Sequence, residues 1–146
     1  MKKNTAIKVL IIDDDQTHSN HIKIGIQAYN KNITVIETYQ NIQEIVKAIK
    51  NNEIGSYLFP DEVNLYIIDV ALTTGDEYGL ILFNFLQDKY KNKFKYIVTS
   101  QWDIREFKTN VNINSDFFIN KNLFSGYEIQ YPIKRLTKKR LNYEYE

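Results

Sequence analysis

Four short apolar runs in this chain lead to residues that can carry chemistry. V-L-I-I at 9–12 runs into Asp13-Asp14-Asp15, L-Y-I-I at 65–68 into Asp69, Y-I-V at 96–98 into Thr99-Ser100, and F-F-I at 117–119 is followed, after Asn120, by Lys121. Any one of the acids alone reads as a helix cap, and Asp15 sits where it would cap a first helix. The set asks for more, because capping needs neither a hydroxyl after one run nor a lysine after another. Carboxylates clustered within about 4–6 Å raise one another's pKa unless a cation is present. With every donor an oxygen, the hard ion Mg²⁺ is the natural partner; it keeps several waters and needs only one or two direct carboxylates. A carboxylate beside such an ion can attack a phosphoryl group and become an acyl phosphate. Lys121 would then pair with one phosphoryl oxygen and the Thr99 hydroxyl would donate to another.

The elements that must position these residues follow from the pattern of the chain. Short apolar runs alternate with amphipathic stretches from end to end, as in βα units on a parallel sheet. Strands are expected at Ile7–Ile12, Ile33–Thr38, Leu65–Asp69, Tyr96–Thr99 and Phe117–Asn120. Three of them are solidly apolar rather than alternating, which suits strands covered on both faces. Helical spacing is clearest at Ile42, Ile45, Val46 and Ile49, with Asn41 placed to cap and Glu44 three residues on. A second helix is expected from about Gly79 to Tyr90, with Leu82, Phe83, Leu86 and Tyr90 on one face. The first should begin near Thr17 to Asn20 and bury Ile22, Ile26 and Tyr29. The last should cover about Tyr127 to Leu141, and the segment between Trp102 and Asn114 should hold a further helix anchored by Ile104 and Phe107. In a sheet of this kind, chemistry gathers beyond the carboxyl ends of the strands, which is where the acids, hydroxyl and lysine fall.

Composition narrows the classes. At 146 residues the chain is one domain, long enough to bury a core without disulfides or a structural metal. It has no Cys, which excludes disulfide frameworks, thiolate zinc sites and cysteine nucleophiles. Its five Gly, at 25, 55, 75, 79 and 126, cannot spell the common dinucleotide or P-loop fingerprints. With 19 Lys+Arg against 18 Asp+Glu the net charge is +1, too small to draw in nucleic acid or a membrane surface. Lys8 splits the first apolar run, so it is not a signal peptide, and no run approaches the roughly 20 apolar residues of a membrane span. A cytoplasmic protein is expected.

K-V-L-I-I-D-D-D at 8–15, N-L-Y-I-I-D-V-A-L at 64–72, K-Y-I-V-T-S at 95–100 and S-D-F-F-I-N-K at 115–121 together resemble the receiver domains of bacterial two-component response regulators. In length the chain resembles the single-domain chemotaxis type. The resemblance spans about 7–140, so residues 1–146 read as a single receiver domain with a short tail at 141–146. It implies an α/β, flavodoxin-like, doubly wound five-stranded parallel sheet of order 2-1-3-4-5 with five helices. It further implies that Asp69 is the phosphoacceptor, Asp14 the direct Mg²⁺ ligand, Asp13 a second acid acting through water, and Ala71 a backbone-carbonyl ligand. Thr99 matches the switch hydroxyl, Lys121 the phosphate-pairing lysine and Phe118 the switch aromatic, for which ordinary core packing is the competing reading. Ala71 and Gln101 match positions that influence how fast water removes the phosphoryl group. The implied partners are a sensor histidine kinase or histidine phosphotransfer protein upstream and a protein target downstream.

The chain departs from the family pattern in places. Asn122, not Pro, follows Lys121; Thr73 replaces the usual Pro after Asp69; and Gly79 comes about two residues late, so that 73–78 forms an enlarged loop. Asn51–Asn64 is also longer than most. Two other readings remain. Asp13 and Asp15, in D-x-D-x-T at 13–17, match the first motif of haloacid dehalogenase-like phosphatases, with Asp13 as nucleophile and Asp15 as acid/base. That reading lacks a final acidic motif after Lys121 and leaves Asp69 idle. The other is a receiver-like binding module that is not phosphorylated. Lys134, Arg135, Lys138, Lys139 and Arg140 suit a solvated helix end, with a docking surface as the lesser reading; no helix-turn-helix follows, so DNA binding is not expected. Trp102, if exposed, would support a docking face. His18 and His21 carry no metal-site or phosphodonor pattern.

Overall fold

The computed structural model describes residues 7–130. Five strands, β1 (Ile7–Ile12), β2 (Ile33–Glu37), β3 (Leu65–Asp69), β4 (Tyr96–Ser100) and β5 (Phe118–Asn120), form one parallel sheet in the order β2-β1-β3-β4-β5. Every expected strand is present, with ends within a residue of the expected ones. Three α-helices stand among the described residues: α1 (Gln16–Tyr29), α2 (Ile42–Lys50) and α3 (Tyr78–Lys89).

Successive side chains of a strand point to opposite faces, and the core divides accordingly. Val9, Ile11, Leu65, Ile67 and Ile97 pack against Ile22 and Ile26 of α1, with Phe124 and Ile129 completing that face. Leu10, Ile12, Tyr66, Ile68 and Val98 pack on the other face against α2 and α3. The two innermost strands are therefore solidly apolar over residues 9–12 and 65–68, where they have no face to give to water. On α2, Ile42, Ile45, Val46 and Ile49 are all buried as the spacing requires. Asn41 stands at the cap of α2 but makes no side-chain cap bond; its carbonyl accepts instead from Glu44 N and Ile45 N.

Three expectations change. Tyr29 ends α1 but is 56% exposed, its ring set edge-on to Tyr127 at 5.2 Å. Ile22 and Ile26 already fill the stripe that faces the sheet, and a third anchor one turn on has passed the edge of the core. The segment from Trp102 to Asn114 holds no α-helix; a single 3-10 turn at Ile104–Glu106 leads into irregular chain. Its apolar residues explain this: Val111 and Ile113 alternate with asparagines at a spacing of two, which lays an extended strap against the core rather than a helical stripe. The strap is pinned by Asn84 Nδ2 donating to Asn110 O, by Asn114 N donating to the Tyr96 hydroxyl, and by the Glu77 carboxylate accepting from Lys108 N and Thr109 N. Of the helix expected at Tyr127–Leu141, Tyr127–Ile129 form a 3-10 turn, and the remainder with its basic residues lies outside the described residues.

Among the described residues no helix is long and apolar enough to cross a membrane.

Candidate functional site

The strand register assembles the site. Ile11, Ile67, Ile97 and Ile119 share the face that α1 covers, and two residues further along each strand the same face carries Asp13, Asp69, Thr99 and Lys121. Asp69 and Thr99 are direct register partners, as are Thr99 and Ile119. A period of two thus carries four apolar residues in the core into four chemical residues at its carboxyl end. Carboxylate oxygens of Asp13, Asp14 and Asp69 all lie within 4.8 Å of one another. Lys121 Nζ is 2.8 Å from Asp69 Oδ2 and 3.4 Å from Asp13 Oδ1.

Gly79 allows this end of β3 to be closed from above. Its N–H donates to Val70 O at 2.9 Å, and a Cβ there would stand 1.9 Å from the Asp69 carbonyl oxygen, so α3 can start directly over the strand end only with glycine. The enlarged 73–78 loop is held by one residue: the Asp76 carboxylate accepts from the N–H groups of Leu72, Thr73 and Tyr78 and from the Thr73 hydroxyl. Beside it a cleft of about 230 Å³ opens onto Asp14, Asp69, Ala71, Lys121 and Trp102.

Burial sets the electrostatics. Asp69 is 2% exposed, and its burial together with the Asp13 charge pushes its carboxyl up to about 7 despite Lys121. Burial also opposes ionisation of Asp13, but hydrogen bonds from His18 and the Asp15 N–H, with the Lys121 charge, outweigh it and hold Asp13 below the ordinary range. Asp14 is raised by burial and by Asp13. Burial would lower Lys121, yet its hydrogen bond to Asp69 and the surrounding acids raise it, so it stays a cation. One lysine thus faces three carboxylates. The surplus of negative charge, the all-oxygen donor set and the exposure of Asp14 to the cleft fit a hard divalent cation.

The sequence-expected residues divide cleanly. Asp13, Asp14, Asp69 and Lys121 are brought together, Ala71 lines the cleft, and Thr99 sits beside Asp69 with its side chain buried. Phe118 lies apart from them: it is the register partner of Val98 on the opposite face, half-buried and edge-on to Phe107 at 5.6 Å. Asp15 is a cap, accepting from His18 N at 3.1 Å. Gln101 is exposed at the cleft rim. Trp102 is half-buried against the core rather than exposed. The turn after β5 keeps trans peptide bonds and is held by Asn120, whose side chain accepts from Asn122 N at 2.9 Å.

His18 was missed by the sequence reading, which saw no functional pattern in it. Its Nδ1 lies 2.6 Å from Asp13 Oδ2 and its Nε2 3.1 Å from the Lys121 carbonyl. The available signal was position: His18, Ile22 and Ile26 fall four residues apart on the sheet-facing stripe of α1, so a histidine in its first turn must face the sheet's carboxyl end.

No family model and no curated protein matches the chain. Solved structures do. A two-component transcriptional regulator AraC from Clostridium phytofermentans ISDg aligns with a TM-score of 0.60 at 18% identity, covering 96% of this chain and 99% of that one. A response regulator from Thermotoga maritima aligns with a TM-score of 0.52 at 16% identity, covering 92% and 97%. With its five parallel strands in the order 2-1-3-4-5 and its acids gathered at their carboxyl ends, the chain has the fold of response-regulator receiver domains.

Proposed function

We propose that this protein is a phosphorylation-switched receiver acting in the cytoplasm. Asp69 accepts a phosphoryl group from the phosphohistidine of a sensor kinase or phosphotransfer protein, and a changed protein-binding surface passes the signal on. The observation that carries the reading is the salt bridge of Lys121 Nζ to Asp69 at 2.8 Å inside a cluster of three carboxylates at the end of the sheet. An Asp69 oxygen attacks phosphorus as the phosphorus–nitrogen bond of the donor breaks. The imidazole nitrogen keeps that electron pair, and Asp69 becomes an acyl phosphate. Mg²⁺, held by Asp14 and Asp69 with the Ala71 carbonyl and with Asp13 through water, would neutralise the oxygens that crowd together in this step.

The chain's own groups do the rest. Lys121, kept cationic by its acids, moves from Asp69 onto a phosphoryl oxygen. Thr99, the register partner of Asp69, would donate its hydroxyl to another. When Thr99 turns toward the phosphoryl group it leaves space on β4, and the rearrangement reaches Phe118 and the strap that packs on it. Ala71 and Gln101, at the cleft, flank the path by which water would remove the group. Asp69, which the phosphatase reading leaves idle, is the acid that Lys121 pairs with most closely, and Asp15 caps α1; both favour the receiver. The test is uptake from acetyl phosphate. Wild-type protein should gain one phosphoryl group only with Mg²⁺, and Asp69→Asn should gain none; equal uptake by the variant overturns the assignment.

A further inference from the structure

Lys121 is mounted on the weakest part of the sheet. β5 has three residues, lies at the edge, pairs only with β4 and is half-exposed. Yet Lys121 Nζ must reach Asp69 on β3 and Asp13 beyond β1 and stay there. α1, by contrast, is firmly seated, with Ile22 and Ile26 no more than 1% exposed. His18 stands on the same stripe of α1 and joins the two regions. Its Nε2 meets the Lys121 carbonyl at 3.1 Å, across 103 residues of sequence, and its Nδ1 meets Asp13 Oδ2 at 2.6 Å. A carbonyl only accepts, so Nε2 carries a hydrogen, and the short approach of Nδ1 to a carboxylate oxygen holds one proton between them.

The bonds to Asp13 complete the picture. Oδ1 accepts from Asp15 N at 2.9 Å and faces Lys121 Nζ at 3.4 Å, while Oδ2 is held by His18. Both oxygens are tied, so the carboxylate cannot rotate. Without His18, Oδ2 would lose its partner in a buried place. The Lys121 backbone would keep its local ties, the Phe124 N–H on its carbonyl at 3.3 Å, the Asn122 N–H on the Asn120 side chain and the buried Phe124 ring, but would lose the bond that joins it to the Asp13 carboxylate.

We propose that His18 is a positioning residue of the acidic site, clamping Asp13 to the Lys121 turn so that both keep fixed places around the cation and the incoming phosphoryl oxygens. The inference rests on the receiver reading above. Groups that orient metal-binding carboxylates typically change metal affinity or activity by about 10- to 100-fold when removed, and His18 should behave so.

The two bonds can be separated. Trp102 lines the cleft with Asp14 and Asp69 and is the single Trp, so its fluorescence reports Mg²⁺ binding directly. His18→Leu removes both bonds and should weaken Mg²⁺ affinity by about 10-fold or more, and slow uptake from acetyl phosphate at saturating Mg²⁺ by a similar factor. His18→Asn keeps an amide near Asp13 but cannot reach Lys121, so it should hold affinity and lose rate. His18→Gln can reach the Lys121 carbonyl but not Asp13, so it should lose affinity and hold rate. All are measured well below the melting temperature, with circular dichroism to show folded protein; a purely structural histidine would lower melting without moving either constant. In the metal-free wild type, NMR of the ring should show a slowly exchanging proton on Nε2. If His18→Leu fails to fold, the Asn and Gln variants decide alone. A folded His18→Leu with wild-type affinity and rate overturns the clamp and leaves the receiver reading standing. A wild type that neither binds Mg²⁺ nor takes up a phosphoryl group overturns both.

Discussion

Acidic side chains do opposite work in two regions some residues apart. At the carboxyl ends of β1 and β3, carboxylates are forced together and Asp69 is pushed up to about 7 by burial and by Asp13. Along the strap that follows β4, carboxylates serve the backbone. Glu77, though burial opposes its charge, is held below the ordinary range by the N–H groups of Lys108 and Thr109, and Asp103 is pushed down to about 2 by the side chain and N–H of Arg105. Residue type is nearly the same and the outcome is reversed, because in the strap each acid has donors of its own, while Asp69 has only Lys121, shared with Asp13, to set against its burial and the neighbouring carboxylates. The first arrangement spends fold stability on a cluster whose charge and oxygen donors suit a cation; the second fastens chain that has no helix to fasten it.

Removing the one shared donor should break this contrast most. Lys121→Ala should cut the rate of phosphoryl uptake at saturating Mg²⁺ by about 10²–10³-fold, the usual loss for one preorganised donor to a developing negative charge. Mg²⁺ titration should still show binding, since the three carboxylates remain. Loss of binding together with rate would mean that Lys121 organises the cation site rather than the transferred group.

The next effect concerns stability and pH. Because the folded value of Asp69 is raised from 3.8 to about 7, its contribution is fully present below about pH 4 and is lost as pH rises through 7. For the metal-free protein this amounts to roughly 2–4 kcal/mol by pH 8. Asp69→Asn has no such loss, so chemical denaturation at pH 5, 6, 7 and 8 should show the variant gaining on wild type step by step. Mg²⁺ should narrow the gap by binding only folded wild type. A gap that stays constant with pH would show that Asp69 is not electrostatically opposed.

The strap should give the smallest changes, and local ones. Glu77→Ala removes hydrogen bonds to two N–H groups and should cost about 1–2 kcal/mol. Amide exchange should speed up at Lys108 and Thr109 while Ile68 and Val98 in the central strands stay protected. Asp103→Asn, at an exposed position, should leave the melting temperature unchanged. If Glu77→Ala instead slowed phosphoryl uptake, the strap and the sheet end would be coupled rather than contrasted.

The same contrast explains what the sequence disclosed. Polar residues that break a two-faced apolar run announce themselves, because Asp69 stands between L-Y-I-I and V-A-L, and the period of two carries it to the same face as Asp13, Thr99 and Lys121. The helices α2 and α3 were legible from their buried stripes. Cross-chain hydrogen bonding was not: His18 meets Lys121 across 103 residues, and Glu77 meets Lys108 across 31, separations at which no local spacing speaks. The missing helix between Trp102 and Asn114 was a matter of weighing two apolar anchors at helical spacing, Ile104 and Phe107, against two at strand spacing, Val111 and Ile113. Tyr29 shows the limit of a stripe, whose periodicity continues after the sheet beneath it has ended.

The central claim is that the carboxylate cluster exists to put one phosphoryl group on Asp69. Intact-mass measurement after incubation with acetyl phosphate, with and without Mg²⁺, followed by reductive trapping of the acyl phosphate and peptide mapping, tests it directly. The account predicts one added phosphoryl group, dependent on Mg²⁺ and located on Asp69. No uptake, or a group mapped to Asp13 instead, would contradict it.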